Sequence, residues 1–257
     1  MASIRGISMA RMLAGVGLVL VGCAAQAGSD AALNCQADKV TAAGIRAACL
    51  AGEQAKALQG GKANPVNCED TFDAALAKAD KDAAKKGVTC RYLDNQDGTI
   101  SDLNTLLMWE KKVAQTASVH DYQDQYTWSD AFEWAASLGQ PPTTYDPTPA
   151  LGNFAGRTDW RLPTISELIT IWMDTSIGND PQNSCIFGTS DSPCIDPIFR
   201  SGDSFTAGGY WSSTTFEETP TSAWMIDFSN GVVSQFSKEP NSGSPGTRYV
   251  RAVRGGR

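Results

Sequence analysis

The chain of 257 residues holds a single histidine, His120. That scarcity excludes metal sites built from clustered imidazoles, and it makes any Ser-His-Asp triad depend on one residue. His120 lies in the polar stretch 118–124, which reads as a solvated loop. Glycine-rich phosphate cradles and zinc-type cysteine spacings are missing as well. Beyond the N-terminal segment, no apolar run is long enough to cross a bilayer as a helix. Positive charge is scarce where it would matter for polyanions. Residues 94–257 carry ten Lys or Arg against twenty Asp or Glu, a net −10, whereas residues 28–93 stand at +1. An acidic domain is poorly suited to nucleic acid, which is held by clustered cations. With no catalytic constellation in view, the chain reads as a non-enzyme. Glu217 and Glu218 are paired carboxylates, but as neighbours on a strand they would point apart.

The N-terminal residues 1–27 read as an export signal. Arg5 and Arg11 give a positive start, and the apolar core 12–21 is too short to span a membrane. Two processing readings compete. Leu20-Val21-Gly22-Cys23 fits a bacterial lipobox, in which Cys23 is lipidated and becomes the new N-terminus. Ala25-Gln26-Ala27 fits an ordinary small-x-small site, which discards Cys23. The lipobox is preferred because it directly follows the apolar run. An acylated Cys23 carries more than one buried chain, enough for stable anchoring. Ala24, rather than an acid, then points to the outer membrane or cell surface; the alternative is a periplasmic or secreted protein. Both readings remove Cys23 from the disulfide count. Six cysteines remain, an even number that implies three disulfides in an exported chain.

Residues 28–90 predict an α-helical hairpin. Two Ala/Lys/Glu-rich stretches, about 30–58 and about 67–86, flank Gly60-Gly61-Lys62-Ala63-Asn64-Pro65. Asn67 or Asp70 is the expected cap of the second helix, and Gly87 its expected stop. Antiparallel geometry predicts nested pairs, Cys35–Cys90 and Cys49–Cys68. With few large apolar residues the hairpin needs both; it reads as a stapled stalk holding the main domain off the membrane, with a spacer or partner-binding coil as the alternative. Cys185–Cys194, nine residues apart, is the expected staple of a long loop over 175–205.

Residues 91–257 predict an α+β domain in which an antiparallel sheet carries two helices. The first helix is capped by Thr127, with Ala131, Trp134, Ala135 and Leu138 inward. The second opens on the capping box Thr164–Glu167, with Ile165, Leu168, Ile169 and Trp172 inward. The sheet centres on a hairpin at Asn230-Gly231, a type I′ signal that requires positive φ at both residues. A two-residue loop sets Phe228 opposite Val233 and Met225 opposite Phe236. Trp224, Ile226 and Phe228 then line one face, and Met225 and Phe236 the other, so the hairpin should be covered on both sides. A closing strand follows, with Arg248 and Arg254 on one face and Arg251 on the other, where a buried ion pair is expected. No cofactor is expected. Calcium is the one ion for which oxygen-rich stretches exist. In the first, 94–102, the acids fall out of register for an EF-type loop around Gly98, and a β-turn at Asp97-Gly98 explains them better.

Seven ordered blocks carry a resemblance: Asp97-Gly98-Thr99; Leu107-Met108-Trp109-Glu110; Thr127-Trp128-Ser129-Asp130-Ala131; Asp159-Trp160-Arg161-Leu162-Pro163-Thr164; Ile195-Asp196-Pro197; Tyr210-Trp211-Ser212-Ser213; and Val250-Arg251-Ala252-Val253-Arg254-Gly255-Gly256. Over roughly residues 91–257 the sequence resembles the Lcl C-terminal-domain family, named for a collagen-like bacterial surface adhesin. The resemblance implies a C-type-lectin-like domain, a fold shared with formylglycine-generating enzymes and variable receptor-binding proteins, and it implies an exported binding module. The sulfated glycans implied by the named adhesin do not suit a domain of net −10. Glu239-Pro240-Asn241 matches the tripeptide with which sugar-binding C-type lectins hold calcium and a hexose, which makes Glu239 and Asn241 the candidate ligand-binding pair. The expected function is a surface-anchored adhesion or binding protein for an extracellular glycan or protein. Its membrane contact is through the lipid anchor alone, and it has no nucleic-acid partner. The alternatives are a structural envelope lipoprotein and, third, a formylglycine-generating-enzyme-like activity.

Overall fold

The computed structural model describes residues 30–114, 118–140, 153–172, 195–199, 208–240 and 246–256. Cys23, Cys185, Cys194 and Asn241 lie outside the described residues.

Helices α1 (Asp30–Leu58) and α2 (Val66–Ala84) form the hairpin. The start of α2 is not capped by Asn67 or Asp70, which lie inside it. It follows Pro65, whose φ of −65° already suits a helical start. Past its end Gly87 takes φ +69°, and the Val88 amide reaches back to the Ala83 carbonyl, closing the helix in the left-handed conformation. Cys35 is joined to Cys90 and Cys49 to Cys68, with Cα separations of 5.9 and 5.8 Å. The hairpin is not a free stalk. Gln36 donates to the Tyr92 carbonyl, and Leu106 packs on Ala42, Phe72 and Leu76. Lys39 is buried, its Nζ 2.5 Å from Asp80 and 2.6 Å from the Asn104 side-chain oxygen. Two helices with so little apolar surface gain by burying it against a neighbour.

Among its described residues the domain holds a four-stranded and a five-stranded sheet. In the first, β1 (Tyr92–Asp94), β2 (Thr99–Asp102), β3 (Leu107–Glu110) and β9 (Val253–Gly255) run in the order β1-β2-β3-β9, all antiparallel. In the second, β4 (Gln125–Tyr126), β5 (Gly209–Thr215), β6 (Ser222–Asp227), β7 (Val232–Ser237) and β8 (Arg248–Tyr249) take the order β4-β8-β5-β6-β7. The pairing of β5 with β8 is parallel and the others are antiparallel. The closing segment is therefore not one strand. It leaves the ladder at Val250–Ala252, passing from one sheet to the other, and this puts Arg251 in the core.

The helices follow their signals. Thr127 Oγ1 accepts from the Asp130 amide and opens α3 (Trp128–Ser137). Thr164 and Glu167 exchange both capping-box bonds and open α4 (Ile165–Thr170). One inward residue of α4 differs from expectation. Ile169 is exposed and Ile171 is fully buried, because the helix lasts only six residues and its contact row runs Ile165, Leu168, Ile171.

The hairpin β6–β7 keeps its two apolar faces. Ile226 and Phe228 join the core under α4, while Met225 and Phe236 pack on the core under α3. The register, however, is shifted by two residues: Ile226 faces Val233 and Ala223 faces Phe236. The loop has four residues rather than two. Asp227 Oδ1 accepts from the Ser229 amide and hydroxyl, and Asn230 Oδ1 accepts from the Val232 amide. Of the expected pair, only Gly231 has positive φ, at +71°. Val232 and Val233 are partly exposed, so β5 and β6 are central and β7 is an edge.

Candidate binding surface

At the junction of the two sheets sits a buried charged centre. Glu110 ends β3 with its carboxylate fully enclosed. Oε1 lies 2.7 Å from His120 Nδ1 and 3.1 Å from Lys112 Nζ, and Oε2 accepts from the Ala252 amide at 3.0 Å. The Glu110 carbonyl accepts from Arg251 Nη1 at 2.6 Å. Lys112 Nζ also stands 4.3 Å from the Trp134 ring centre, and the Arg251 guanidinium lies 5.4 Å from that of Phe199. Burial pushes the Glu110 carboxyl up, but Lys112, His120 and the Ala252 amide outweigh it and hold the group down at about 2. Burial pulls Lys112 down, with Glu110 opposing. Arg251 is likewise lowered by burial, against the pull of Tyr210 and Glu110.

Arg251 is buried as expected, but where an ion pair was expected its guanidinium donates to the Glu110 backbone carbonyl rather than to the carboxylate. His120 differs from the solvated-loop expectation: Glu110 draws it in, and its ring lies 4.2 Å from that of Phe154. Glu110 and Lys112 were missed by residue-level reasoning. Their signal is slight: two charges two residues apart at the end of an apolar strand share one face.

Open surface lies elsewhere. A cleft of about 410 Å³ is lined by residues that include Asn104, Thr105, Arg161, Ser166, Glu167 and Gly255. Its polar groups are mostly committed to each other. Arg161 grips Glu167 with two nitrogens, Asn104 takes Lys39, and Thr105 Oγ1 accepts from the Leu107 amide. A second cleft, of about 250 Å³, is lined by Thr214, Thr215, Phe216, Glu217, Glu218 and Trp224. It forms where β5 leaves its register with β6 between Trp211 and Thr215. The bulge is fixed by Ser213, whose amide donates to the Pro163 carbonyl, and by Ser212, whose hydroxyl donates to the Trp224 carbonyl. Beyond it, the bond from the Phe216 amide to the Ser222 carbonyl closes a turn that carries both glutamates at the exposed surface. As strand neighbours these two would point apart; a turn, not a strand, presents them.

Glu239 is exposed just after β7, and the backbone around it bonds to the Ser237 hydroxyl. The carboxylates of the first oxygen-rich stretch do not converge. Asp94 pairs with Lys111, Asp97 accepts from Thr99, and Asp102 pairs with Arg91. Among the described residues, the one His/Cys/Asp/Glu group close enough to share an ion is Cys35, Asp80 and Cys90, and its two sulfurs are joined to each other. Trp109, Trp134, Trp160 and Trp211 are core residues, while Trp128, Trp172 and Trp224 are half-buried.

A family model described as the Lcl C-terminal domain matches residues 98–254. The match covers more than half of the chain, and the protein belongs to that family. No curated protein matches the sequence.

Proposed function

We propose that the protein is an exported, envelope-anchored binding or adhesion protein whose C-terminal domain, C-type-lectin-like in architecture, recognises an extracellular glycan or protein. One observation carries the reading. Of the side chains best suited to acid–base chemistry, Glu110 and Lys112 are enclosed and His120 is largely buried, each paired through Glu110, whereas aromatic, hydroxyl and carboxylate groups line an open cleft at the β5–β6 turn. Such a division suits a binding module, in which buried ions set the framework and a cleft meets the ligand. The family supports a surface role, and the acidic balance of residues 94–257 argues against nucleic acid and sulfated polymers.

The test is a binding screen of the mature full-length chain against arrayed glycans and envelope or host-surface proteins, with calcium and with chelator. Saturable binding to a defined ligand is the expected result. Failure to bind anything would instead favour a structural envelope lipoprotein. Anchoring is tested separately. Cys23→Ser is expected to move the protein from the membrane fraction to the soluble fraction. A wild-type mature chain that begins at Gly28 would sink the lipid anchor.

A further inference from the structure

We propose that the cleft at the β5–β6 turn is a site for an amino-sugar residue bearing a free ammonium group. The proposal rests on the binding-module reading and gives that module's ligand a chemical class.

The walls are aromatic. Phe216 and Trp224 meet at right angles, ring centres 5.0 Å apart, and form a corner open to solvent. The two flanking hydroxyls are held from behind. Thr214 Oγ1 accepts from the Ile165 amide and Thr215 Oγ1 from Lys238 Nζ, so each hydroxyl still has a proton to donate. Glu217 and Glu218 are exposed, and among the described residues neither forms an ion pair. The nearby cation does not serve them. Lys238 is engaged by Thr215 and the Pro220 carbonyl and stands 3.9 Å from the Trp128 ring centre.

Size and charge narrow the ligand. A cleft of about 250 Å³ falls just below the usual range of ligand pockets and has room for a single ring at most. The apolar C–H face of a pyranose fits an indole, and its hydroxyls fit the threonines. A sulfated or uronic sugar would meet two unpaired carboxylates on a domain already at net −10. A neutral hexose would gain the stacking and the threonine hydrogen bonds but nothing from the carboxylates' charge. An ammonium gains both the aromatic faces and charge-assisted bonds to the carboxylates.

The probes are a β1,4-linked glucosamine trisaccharide, its fully N-acetylated counterpart, the corresponding glucose trisaccharide and Nα-acetyl-lysine amide. Each is titrated calorimetrically into the mature full-length chain at slightly acid pH, where the amine is protonated. The glucosamine trisaccharide is expected to bind about tenfold more tightly than either of the other two trisaccharides, and less tightly as salt rises. The exposed double variant Glu217→Gln/Glu218→Gln should keep its fold and lose that preference. Trp224→Ala should weaken binding about tenfold. Equal affinity for the three sugars, an unchanged preference in the double variant, or tighter binding of the lysine amide would each overturn the proposal. Binding to some other ligand in the screen, indifferent to Trp224→Ala, would overturn this site and leave the binding-module reading standing. Binding to nothing at all would overturn both.

Discussion

Glu110→Gln should be the most damaging single substitution in the charged centre, lowering unfolding free energy by about 3–5 kcal/mol. The change removes the carboxylate that bonds to His120 and pairs with Lys112, leaving Asp124 as a weaker influence on Lys112. Lys112 then remains enclosed with its ion-pair partner gone, the costly outcome when half of a buried pair is deleted. Urea denaturation of the mature chain measures the loss. Adding Lys112→Met should recover part of it, since the stranded charge leaves with the anion. A loss under about 1 kcal/mol, the range of exposed pairs, would mean that water reaches this centre. Acid gives an independent reading. The folded-state value of Glu110 lies below its ordinary 4.5, at about 2. Its contribution is therefore fully present above pH 4.5 and is lost as pH falls toward 2. The wild type should lose stability across that window, and Glu110→Gln should lose less of it.

Gly231→Val should come close behind. Gly231 sits at φ +71°, where a side chain costs about 1–2 kcal/mol. A Cβ there would also land on the Trp172 indole, and displacing a packed side chain costs about 1–3 kcal/mol more. Together these predict a loss of roughly 3 kcal/mol and a clear fall in Tm. Gly60, at φ +78° with open space around it, supplies the control: Gly60→Val carries the backbone cost without the collision. Equal losses at the two positions would show that Trp172 yields freely and that this turn is not tied to the core.

The starts of α3 and α4 were legible because Thr127 and Thr164 act within one turn of themselves, whereas α2 starts after Pro65 without a side-chain cap to read. The two faces of β6 were legible from alternation alone, since a shift of two residues preserves which side each residue takes. That same arithmetic hid the true register. The choice between a two-residue and a four-residue loop was made by Asp227 and Asn230 bonding to nearby backbone and hydroxyl groups, which hydrophobic patterning does not see. The recruitment of His120 and the docking of Lys39 were invisible for another reason. Their partners are set by packing between elements: Lys39 reaches Asn104 across 65 residues. The candidate cleft was hidden because adjacent glutamates diverge on a strand but can share an opening when the chain turns.

The crossing at Val250–Ala252 also constrains the order of events during synthesis. Residues 248–255 follow every other described element, yet they supply the neighbour of β5 in one sheet and of β3 in the other. A ribosome delivers Glu110 and Lys112 long before Arg251 and the Ala252 amide. Until then neither sheet has its full strand order, and the anion has no backbone donor to meet it. The helical hairpin can form from its own contacts, but the domain must wait for nearly its whole length before it closes. Pairings at such large sequence separation make for slow folding, with strand edges exposed in the interval.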